Sequence, residues 1–401
     1  MPDRNPQYDA IIIGAGAAGL MCAISAGQRG LKVLVLEHAK RIGKKILMSG
    51  GGRCNFTHLE CGPENFISTN PHFCKSALAR YTPWDFLDMV NRHEIPWHEK
   101  TPGQLFCDRS SKDIVAMLAE ECSQAGAEIR TSVAVSAITK TDPDLLINSS
   151  IGDLHTKKLV IATGGLSIPK MGATDFGHRI AKQFGLKVLP LRAALVPFTL
   201  PEQELKLWSE LSGVSLPVTA RSETASFQEN MLFTHRGLSG PAMLQLSSYW
   251  EPGESIETNL FPEKEARQWL DDLRQQRPRL SLRNALVQEL GKRFTELFCK
   301  QRLAPLASGD ENLADLNRDQ IDHILQQLEH LSWQPNGTEG YRTAEVTLGG
   351  VDTDALSSSS FECKTVPGLH FIGEVVDVTG QLGGYNFQWA WASGWCAGQA
   401  L

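Results

Sequence analysis

Apolar runs separated by glycine-rich turns dominate the first part of the chain. The run Ala-Ile-Ile-Ile after Asp9 ends at a glycine-rich turn, and an alanine-rich segment follows as far as Gly30. A second apolar run ends at Glu37. The two short runs have the length and composition of buried strands, and the segment between them is long enough for a helix. Residues 9–37 therefore predict a βαβ unit, which implies an α/β protein with a parallel sheet.

The pattern changes twice further along the chain. Up to residue 165 it predicts, in order, a loop, two helical segments, two strand-rich segments and a strand that ends in glycines: 41–55, 74–92, 111–125, 127–139, 145–160 and 159–165. From about Pro190, short alternating segments with Pro, Ser and Thr predict a β-rich region, and leucines among charged residues predict helices over 262–330. After Asn336 strands and glycine turns return, and a last helix is predicted from Phe387.

Composition and charge narrow the class of protein. The 401 residues predict two or three domains, and 42% apolar with 21% charged residues is typical of soluble globular proteins. The net charge of −6 argues against a general polyanion binder but leaves a local basic patch open. The nine cysteines include no CxxC pair and the histidines no HExxH, so we expect free thiols and no metal site. Because no stretch is long enough to span a membrane, a cytoplasmic protein is expected.

The first turn carries a dinucleotide-binding pattern. Gly14, Gly16 and Gly19 form a GxGxxG sequence between a strand and a helix, where they would permit a tight turn and the close approach of a pyrophosphate. An ordinary glycine-rich turn is the alternative. Glu37 favours dinucleotide binding, because it ends the second strand eighteen residues after Gly19, where a carboxylate can accept hydrogen bonds from a ribose diol.

A second glycine cluster near the C-terminus favours FAD over a nicotinamide dinucleotide. A strand is followed by Gly373, Glu374 and Asp377, and then by Gly-Gly-Tyr-Asn at 383–386 before the last helix. In this arrangement a carboxylate can hold a ribityl hydroxyl while helix-terminal N–H groups face the flavin pyrimidine. The alternative is a glycine loop that only closes the domain.

Three segments resemble a known family: residues 46–55 (ILMSGGGRCN), 233–241 (FTHRGLSGP) and 373–391. With them the chain resembles the YhiN-type (BaiN-like) NAD(P)/FAD-dependent oxidoreductases over nearly its whole length. The resemblance implies a two-dinucleotide-binding-domain FAD fold, Rossmann-like and split in sequence, with an inserted β-barrel domain and a helical domain. The expected boundaries are 1–190 with 342–401 for the FAD-binding domain, 191–261 with 332–341 for the β-rich barrel domain, and 262–331 for the helical insertion.

The resemblance also implies which residues contact FAD. They lie in the two glycine motifs, in the 41–52 loop and at two strand ends: Gly14, Gly16, Ala17, Ala18, Gly19, Glu37, Arg41, Lys45, Ser49, Gly50, Gly51, Val135, Ala162, Thr163, Gly164, Gly373, Glu374, Asp377, Gly383, Gly384, Tyr385 and Asn386. Lys44, Lys45 and Arg53 bracket the glycines of that loop and can neutralise FAD or an anionic substrate. A solvated basic loop is the alternative.

Three residues are candidates for the acid that protonates a reduced substrate. Cys54 lies in the basic loop, and the pKa of a thiol near positive charge is tunable; Cys107, in the sequence Leu-Phe-Cys-Asp, is a second thiol candidate. His235 precedes a Gly-x-Ser-Gly-Pro turn and can act as an acid, or with Arg236 can hold an anionic group. The alternatives are cysteines that only pack and a histidine that only stabilises its turn.

The leading hypothesis is a reductase that passes hydride from NAD(P)H through FAD to an activated C=C bond. The resemblance implies reduction of uridine to dihydrouridine in large-subunit ribosomal RNA, or reduction of a small-molecule, steroid-like enone. An oxidase or monooxygenase, and a non-catalytic or sensory flavoprotein, are further alternatives. For RNA, the cations of the helical insertion form either a phosphate-tracking face or a solvated surface balanced by acids: Arg267, Arg274, Arg277, Arg279, Arg283, Lys292 and Arg293.

Overall fold

The computed structural model describes residues 8–401, so the first seven residues of the expected FAD-binding domain lie outside the described residues. The described chain divides into two compact units, one formed by 8–192 with 346–401 and the other by 193–345. The first unit thus joins the two ends of the chain. Within residues 8–401, no helix combines the length and apolar character that crossing a membrane requires.

The N-terminal part of the first unit contains eleven strands and six helices. The strands are β1 (Ala10–Ile13), β2 (Val33–Leu36), β3 (Asn55–His58), β4 (Phe66–Ile67), β5 (Trp97–Thr101), β6 (Gln104–Cys107), β7 (Glu128–Arg130), β8 (Val135–Thr141), β9 (Asp144–Ser149), β10 (Gly152–Thr156) and β11 (Lys158–Ile161). The helices are α1 (Ala17–Gly27), α2 (Lys44–Met48), α3 (Lys75–Arg80), α4 (Pro83–Arg92), α5 (Ser111–Gln124) and α6 (Phe176–Gln183).

The second unit follows, and the chain then returns to the first. Strand β12 (Arg192–Ala194) begins at the boundary, and the second unit continues with β13 (Phe198–Thr199), α7 (Glu202–Trp208), β14 (Ser215–Arg221), β15 (Ser226–Phe233), β16 (Gly237–Ser239), α8 (Pro241–Ser247), β17 (Ile256–Asn259), α9 (Ala266–Gln276), α10 (Leu282–Leu290), α11 (Lys292–Phe298), α12 (Arg318–Glu329), β18 (Leu331–Trp333) and β19 (Gly337–Thr338). The returning segment contains β20 (Val346–Leu348), β21 (Leu369–Phe371), β22 (Thr379–Gly380) and α13 (Tyr385–Ala400).

A five-stranded parallel sheet forms the centre of the first unit. Its strand order is β21-β11-β1-β2-β7, and each neighbouring pair is parallel. Strands β1 and β2 are buried along their whole length, and continuous apolar runs of this kind are typical of strands covered on both faces. Because β21 comes from the returning segment, the end of the chain completes the sheet that its beginning starts. The Rossmann-like α/β fold predicted from the sequence is confirmed.

Helix α13 packs closely against α1. Gly394 and Gly398 are four residues apart and lie on one face of α13. A Cβ atom on Gly394 would lie 2.4 Å from the carbonyl oxygen of Ala18, and one on Gly398 would lie 2.7 Å from that of Cys22. Larger residues at these two positions would push the helices apart. The glycines therefore hold the C-terminal segment against the first helix of the sheet.

The segment predicted as a loop between Arg41 and Asn55 contains the short helix α2, so the prediction of a continuous loop is wrong. Lys, Leu and Met are good helix formers, and Ile46 is buried, which anchors the helix to the protein. Gly43 precedes α2 in the left-handed region, with a φ of +63°. The sequence pattern missed this five-residue helix because the glycines that follow it are typical of a loop.

The second unit has one core shared by strands and helices. Its antiparallel sheet has the order β18-β17-β14-β15-β16-β13-β19. Trp208 lies 5.3 Å from Trp333 and 6.1 Å from Phe294 between ring centroids, and these three come from α7, β18 and α11. Among the described residues the strand pairings do not join β18 to β19. Closure into a barrel, like the expected domain boundaries, stays a prediction.

Candidate cofactor site and active site

The turn between β1 and α1 is tightly packed at Gly14 and Gly19, whereas Gly16 between them borders free space. Gly14 has a φ of +107°, and a Cβ atom there would lie 2.5 Å from the carbonyl oxygen of Ala162. A Cβ on Gly19 would lie 1.9 Å from the carbonyl oxygen of Gly14, so α1 packs directly on the turn. At Gly16, the residue that caps α1, a Cβ would meet nothing within 4 Å. The free N–H groups at the start of α1 thus border an open space, as a bound pyrophosphate requires.

Glu37 lies beside this turn and is 9% exposed. One carboxylate oxygen accepts a hydrogen bond from the N–H of Ala15 at 2.9 Å, and the other accepts one from the N–H of Ala39 at 2.8 Å. His38 Nδ1 lies 3.2 Å from the carboxylate. Each carboxylate oxygen can accept more than one hydrogen bond. Glu37 therefore both fixes the glycine turn and retains capacity for ribose hydroxyl groups.

The other predicted contacts near this turn lie at strand ends. The backbone N–H of Val133 donates to the carbonyl of Glu37 at 2.9 Å, and Val135 follows two residues later as the first residue of β8. Ala162, Thr163 and Gly164 directly follow β11, and Ala17 and Ala18 open α1. Thr163 Oγ1 is buried without a hydrogen-bond partner among the described residues. The predicted residues of both βα turns thus meet at the carboxyl edge of the parallel sheet.

Lys45 and Glu374 form a hydrogen-bonded network that the sequence did not reveal. The Lys45 ammonium donates to Glu374 Oε2 at 2.7 Å and to Ser167 Oγ at 2.6 Å. Glu374 Oε1 accepts from the N–H of Thr347 at 2.9 Å and from the Ser167 hydroxyl at 3.2 Å. Four segments of the first unit therefore meet at one carboxylate. Ser167 and Thr347 lie outside the glycine motifs, so local patterns gave no signal for them.

Two residues of the C-terminal motif hold neighbouring backbone in place. Asp377 is 4% exposed, and one of its carboxylate oxygens accepts from the Thr69 N–H at 2.9 Å and from the Thr69 hydroxyl at 2.7 Å. Asn386 accepts from the N–H of Gly380 at 2.9 Å and donates to its carbonyl at 2.8 Å. These contacts fix the loop before α13. They also show a structural role for both residues besides the predicted contact with FAD.

The glycine turn before α13 approaches its neighbours closely. Gly383 and Gly384 have φ values of +125° and +101°, and a Cβ on Gly384 would lie 2.6 Å from the carbonyl carbon of Thr57. The Tyr385 ring stacks on the His58 ring with centroids 4.5 Å apart, and burial raises the pKa of Tyr385 to about 12. These contacts hold the N-terminus of α13 beside β3. Gly373, the other glycine of the C-terminal motif with a left-handed conformation, has a φ of +71° and directly precedes Glu374.

The loop after α2 is exposed and irregular. Gly50 and Gly51 have left-handed φ values of +55° and +65°, and a Cβ on Gly51 would meet nothing within 4 Å. The Ser49 hydroxyl donates to the carbonyl of Ile46 at 2.8 Å. Arg41 and Arg53, on either side of this stretch, are exposed. The loop thus presents accessible backbone flanked by positive charge.

Cys54 and Cys107 are neighbours beneath this loop, and both are fully buried. The N–H of Cys107 donates to the carbonyl of Arg53 at 2.9 Å. Burial raises the pKa of the Cys54 thiol far above its usual range and that of Cys107 to about 12. Loss of solvation is the largest cause of both shifts, and Asp113 and Asp108 add to it at Cys107, so both thiols stay protonated at neutral pH. Their lack of exposure argues against direct contact with a substrate in this conformation.

His235 belongs to the second unit and is exposed. The Thr234 hydroxyl accepts hydrogen bonds from the N–H groups of Arg236 and Gly237, both at 3.2 Å, so the turn is stabilised without the imidazole. The Arg236 guanidinium lies 3.9 Å from a Glu339 carboxylate oxygen. The histidine remains available for a ligand. All residues predicted to contact FAD, with Cys54 and Cys107, belong to the first unit.

These features define a class of protein. A parallel sheet with an open glycine turn and a carboxylate at the end of the second strand is the arrangement of dinucleotide-binding proteins. Among residues 8–401, no group of three or more His, Cys, Asp or Glu side chains is placed to hold a metal ion.

Comparison with known proteins gives the family. The family described as "HI0933-like protein Rossmann domain" matches residues 8–400. A "Ribosomal RNA dihydrouridine synthase" of Escherichia coli (strain K12) is 54% identical over 397 residues, and one of Haemophilus influenzae is 50% identical over 400; each alignment covers 98% of both chains. A "3-dehydro-bile acid delta(4,6)-reductase" of Clostridium scindens is 27% identical over 97% of this chain and 98% of its own. The chain belongs to the HI0933-like family of FAD oxidoreductases.

Proposed function

We propose that this protein is an FAD-dependent reductase that converts uridine to dihydrouridine in large-subunit ribosomal RNA, with NAD(P)H as the transient reductant. The observation that carries the proposal is the 54% identity, over nearly the whole of both chains, to the Escherichia coli protein of that name. The glycine turn supports it, because the space at Gly16 is open at the N-terminus of α1, where the pyrophosphate of FAD would lie.

The first βα turn would hold the ADP half of FAD. The open space at Gly16 lies at the N-terminus of an 11-residue helix, where N–H groups and the helix dipole stabilise phosphate charge. Glu37 would accept the ribose hydroxyls, and the backbone near Val133 and Val135 would border the adenine. The residues present fit the cofactor at this point, because no described residue lies within 4 Å of the position of a Cβ on Gly16.

The Lys45–Glu374 network and the N-terminus of α13 would border the flavin. When bound, FAD supplies hydride transfer from a nicotinamide to an electron-poor carbon. The α13 N–H groups would favour negative charge at that end of the cofactor, and Lys45 would add a cation to the site. Glu374 holds this lysine in position, so the site keeps its charge arrangement before any ligand binds.

Reduction of uridine places hydride on C6 and requires a proton at C5. His235 is exposed and has no side-chain partner among the described residues, so it can reach a ligand without breaking a contact. Cys54 and Cys107 carry protons at neutral pH but would need the overlying loop to move. We therefore propose His235, Cys54 and Cys107 as alternative donors of the proton to C5, with water as a fourth alternative.

A second candidate function is reduction of a small-molecule enone. The 27% identity to the bile acid reductase covers nearly the whole of both chains and favours it, although the identity is half that to the ribosomal RNA enzyme. Both reactions place hydride on the β carbon of an enone-like system.

We also propose that the first unit has the two-dinucleotide-binding-domain fold and that the second contains the inserted barrel (191–261 and 332–341) and the helical domain (262–331).

Nucleoside mass spectrometry of ribosomal RNA tests the proposed function. Deletion of the gene should remove dihydrouridine from large-subunit ribosomal RNA and leave it in transfer RNA, and the wild-type gene should restore it. Transfer RNA is the internal control, because other enzymes would modify it. Unchanged dihydrouridine in the large subunit of the deletion strain would reject the RNA substrate and favour the enone.

A further inference from the structure

One stretch of this acidic chain is strongly basic. Residues 38–59 contain no Asp or Glu but five cations: Lys40, Arg41, Lys44, Lys45 and Arg53. The whole chain has a net charge of −6. Within residues 8–401, Lys45 is the only one of these five that contacts a carboxylate, that of Glu374. Across the described residues, the side chains of the other four form no ion pair or hydrogen bond, and Lys44 alone among them is partly buried.

Two further cations extend this surface. The Lys44 ammonium lies 3.5 Å from the position of a Cβ on Gly172, so it reaches the turn that carries exposed Lys170. The Ser111 hydroxyl donates to the carbonyl of Leu47 at 3.0 Å, which places the start of α5, with exposed Lys112, beside α2. We define the basic face as Lys40, Arg41, Lys44, Arg53, Lys112 and Lys170.

None of the six cations of the basic face forms an ion pair with a described carboxylate. Carboxylates close to them in sequence have other partners: Glu37 accepts from backbone, Asp108 lies 2.6 Å from His98, Asp113 lies 3.1 Å from Arg109, and Asp175 lies 2.9 Å from Arg179. The charges of the basic face are therefore not compensated by direct contacts. Such an arrangement is the electrostatic footprint of a polyanion.

The cations of the helical insertion behave differently. Arg267, Arg283 and Lys292 pair with carboxylates at 2.9, 3.0 and 3.9 Å. Arg274 donates to two backbone carbonyls and Arg293 to one. Of the seven cations considered from the sequence, only Arg277 and Arg279 have no partner among the described residues. Most cations of the helical insertion are therefore neutralised by partners, whereas the six cations of the basic face are not.

We infer that the basic face binds the phosphodiester backbone of the RNA around the target uridine. The inference rests on the proposed function and names its binding surface. Six cations spread over a loop, two helix starts and a turn exceed what one small anion needs, but they suit a chain of phosphates. The face also adjoins the glycine turn, because the N–H of Gly43 donates to the carbonyl of Ala15 at 2.9 Å. A strand bound there would keep its target base near the proposed cofactor.

The test neutralises three cations of the basic face to which no contact with FAD is assigned: Lys40→Gln, Lys112→Gln and Lys170→Gln in one variant. The matched control removes three exposed cations elsewhere that have no partner among the described residues: Arg277→Gln, Arg279→Gln and Lys300→Gln. Both are FAD-loaded full-length proteins. The probe is large-subunit ribosomal RNA from cells that lack the protein, and affinity is measured against KCl concentration.

The basic-face variant should lower the magnitude of the slope of log affinity against log salt by about 2, and weaken binding roughly tenfold at moderate salt. The control should stay near the wild type. Flavin content and the rate of flavin bleaching by NADPH should be unchanged in both. A wild-type slope in the basic-face variant, loss of its flavin, or no RNA binding by the wild type would each overturn the inference.

Dihydrouridine formed by the same preparations separates this inference from the proposed function. A wild type that binds RNA through the basic face but forms no dihydrouridine would reject the reaction and retain the surface. A basic-face variant that forms dihydrouridine at the wild-type rate, with an unchanged salt slope, would reject the surface and retain the reaction.

Discussion

The ammonium of Lys45 donates a 2.7 Å hydrogen bond to the carboxylate of Glu374, which lies 329 residues later in the chain. The Lys45 side chain is 39% exposed and that of Glu374 is 19% exposed. Lys45 follows the first βαβ unit, whereas Glu374 follows the last strand of the sheet. The pair thus ties the two halves of the proposed cofactor site together before FAD binds.

Lys45→Met and Glu374→Gln should show energetic coupling in a double-mutant cycle. Each replacement leaves the other partner without its charged contact, so the two losses of unfolding free energy should not add. We expect a coupling on the order of 1 kcal/mol, because the pair is only partly shielded from water. Urea unfolding of the FAD-free proteins measures it. The pair Lys206 and Glu202, with side chains 73% and 82% exposed, should give a coupling near zero; equal coupling in both cycles would contradict the proposed role.

Gly16→Ala should leave the stability of the FAD-free protein nearly unchanged, whereas Gly19→Ala should lower it. At Gly16 a methyl group meets nothing within 4 Å, so the unfolding free energy should change by less than about 0.5 kcal/mol while FAD affinity falls, because the methyl occupies the pyrophosphate space. At Gly19 the methyl would lie 1.9 Å from a carbonyl oxygen, so the fold itself should be destabilised. Thermal unfolding and flavin titration distinguish these effects. Full FAD affinity in Gly16→Ala would place the cofactor elsewhere.

Glu37→Ala should weaken FAD binding by one to several powers of ten, because it removes one or two charge-assisted hydrogen bonds worth roughly 1.5–3 kcal/mol each. Glu128→Gln, on the adjacent strand β7, is the control and should bind FAD normally. Equilibrium titration of the FAD-free proteins measures both. Equal FAD affinity in Glu37→Ala and the wild type would mean that the carboxylate serves only the backbone.

Cys107 should make stability fall at alkaline pH. Burial raises its pKa from 9.0 to about 12, so the folded state holds the proton more tightly than the unfolded state. The free energy of unfolding is therefore unaffected by this thiol below pH 9. Between pH 9 and 12 it falls by roughly 1.4 kcal/mol per pH unit, because the unfolded state loses the proton first. Cys107→Ala should flatten the decline in unfolding free energy between pH 9 and 11. An identical slope in the variant and the wild type would contradict the raised pKa.

His235→Ala and Cys54→Ala should separate the proposed proton donors. A variant that binds FAD and is bleached by NADPH normally, but restores ribosomal dihydrouridine poorly, has lost the step that protonates C5. We expect the larger loss for His235→Ala, because Cys54 is fully buried. Full restoration by both variants would assign the proton to Cys107, another side chain or water.

Local sequence patterns were sufficient to predict the parallel sheet and the glycine turn between β1 and α1. Gly14, Gly16 and Gly19 have a characteristic spacing directly after a strand, and the strands β1 and β2 are short apolar runs with clear ends. The same holds for the return of the chain to the sheet at β21, which an apolar strand before Gly373 indicated.

Contacts between distant segments could not be read from the sequence. Asp377 meets Thr69 across 308 residues, and Ser167 and Thr347 reach Glu374 from loops without any motif. The neutralised arginines of the insertion show the same limit, because a charge count cannot reveal which cations have partners. Burial also reverses an expectation at Cys54, where loss of solvation raises the pKa of the thiol and outweighs the hydrogen bond with Ser49 that lowers it.

The most direct test of the central claim is a reaction with purified components. The FAD-loaded protein, NADPH and large-subunit ribosomal RNA from cells that lack the protein are incubated without air, and the RNA nucleosides are then analysed by mass spectrometry. The account predicts that dihydrouridine forms at a defined position with consumption of NADPH, and that the FAD-free protein forms none. Oxidation of NADPH without any dihydrouridine in the RNA, while a small-molecule enone is reduced, would contradict it.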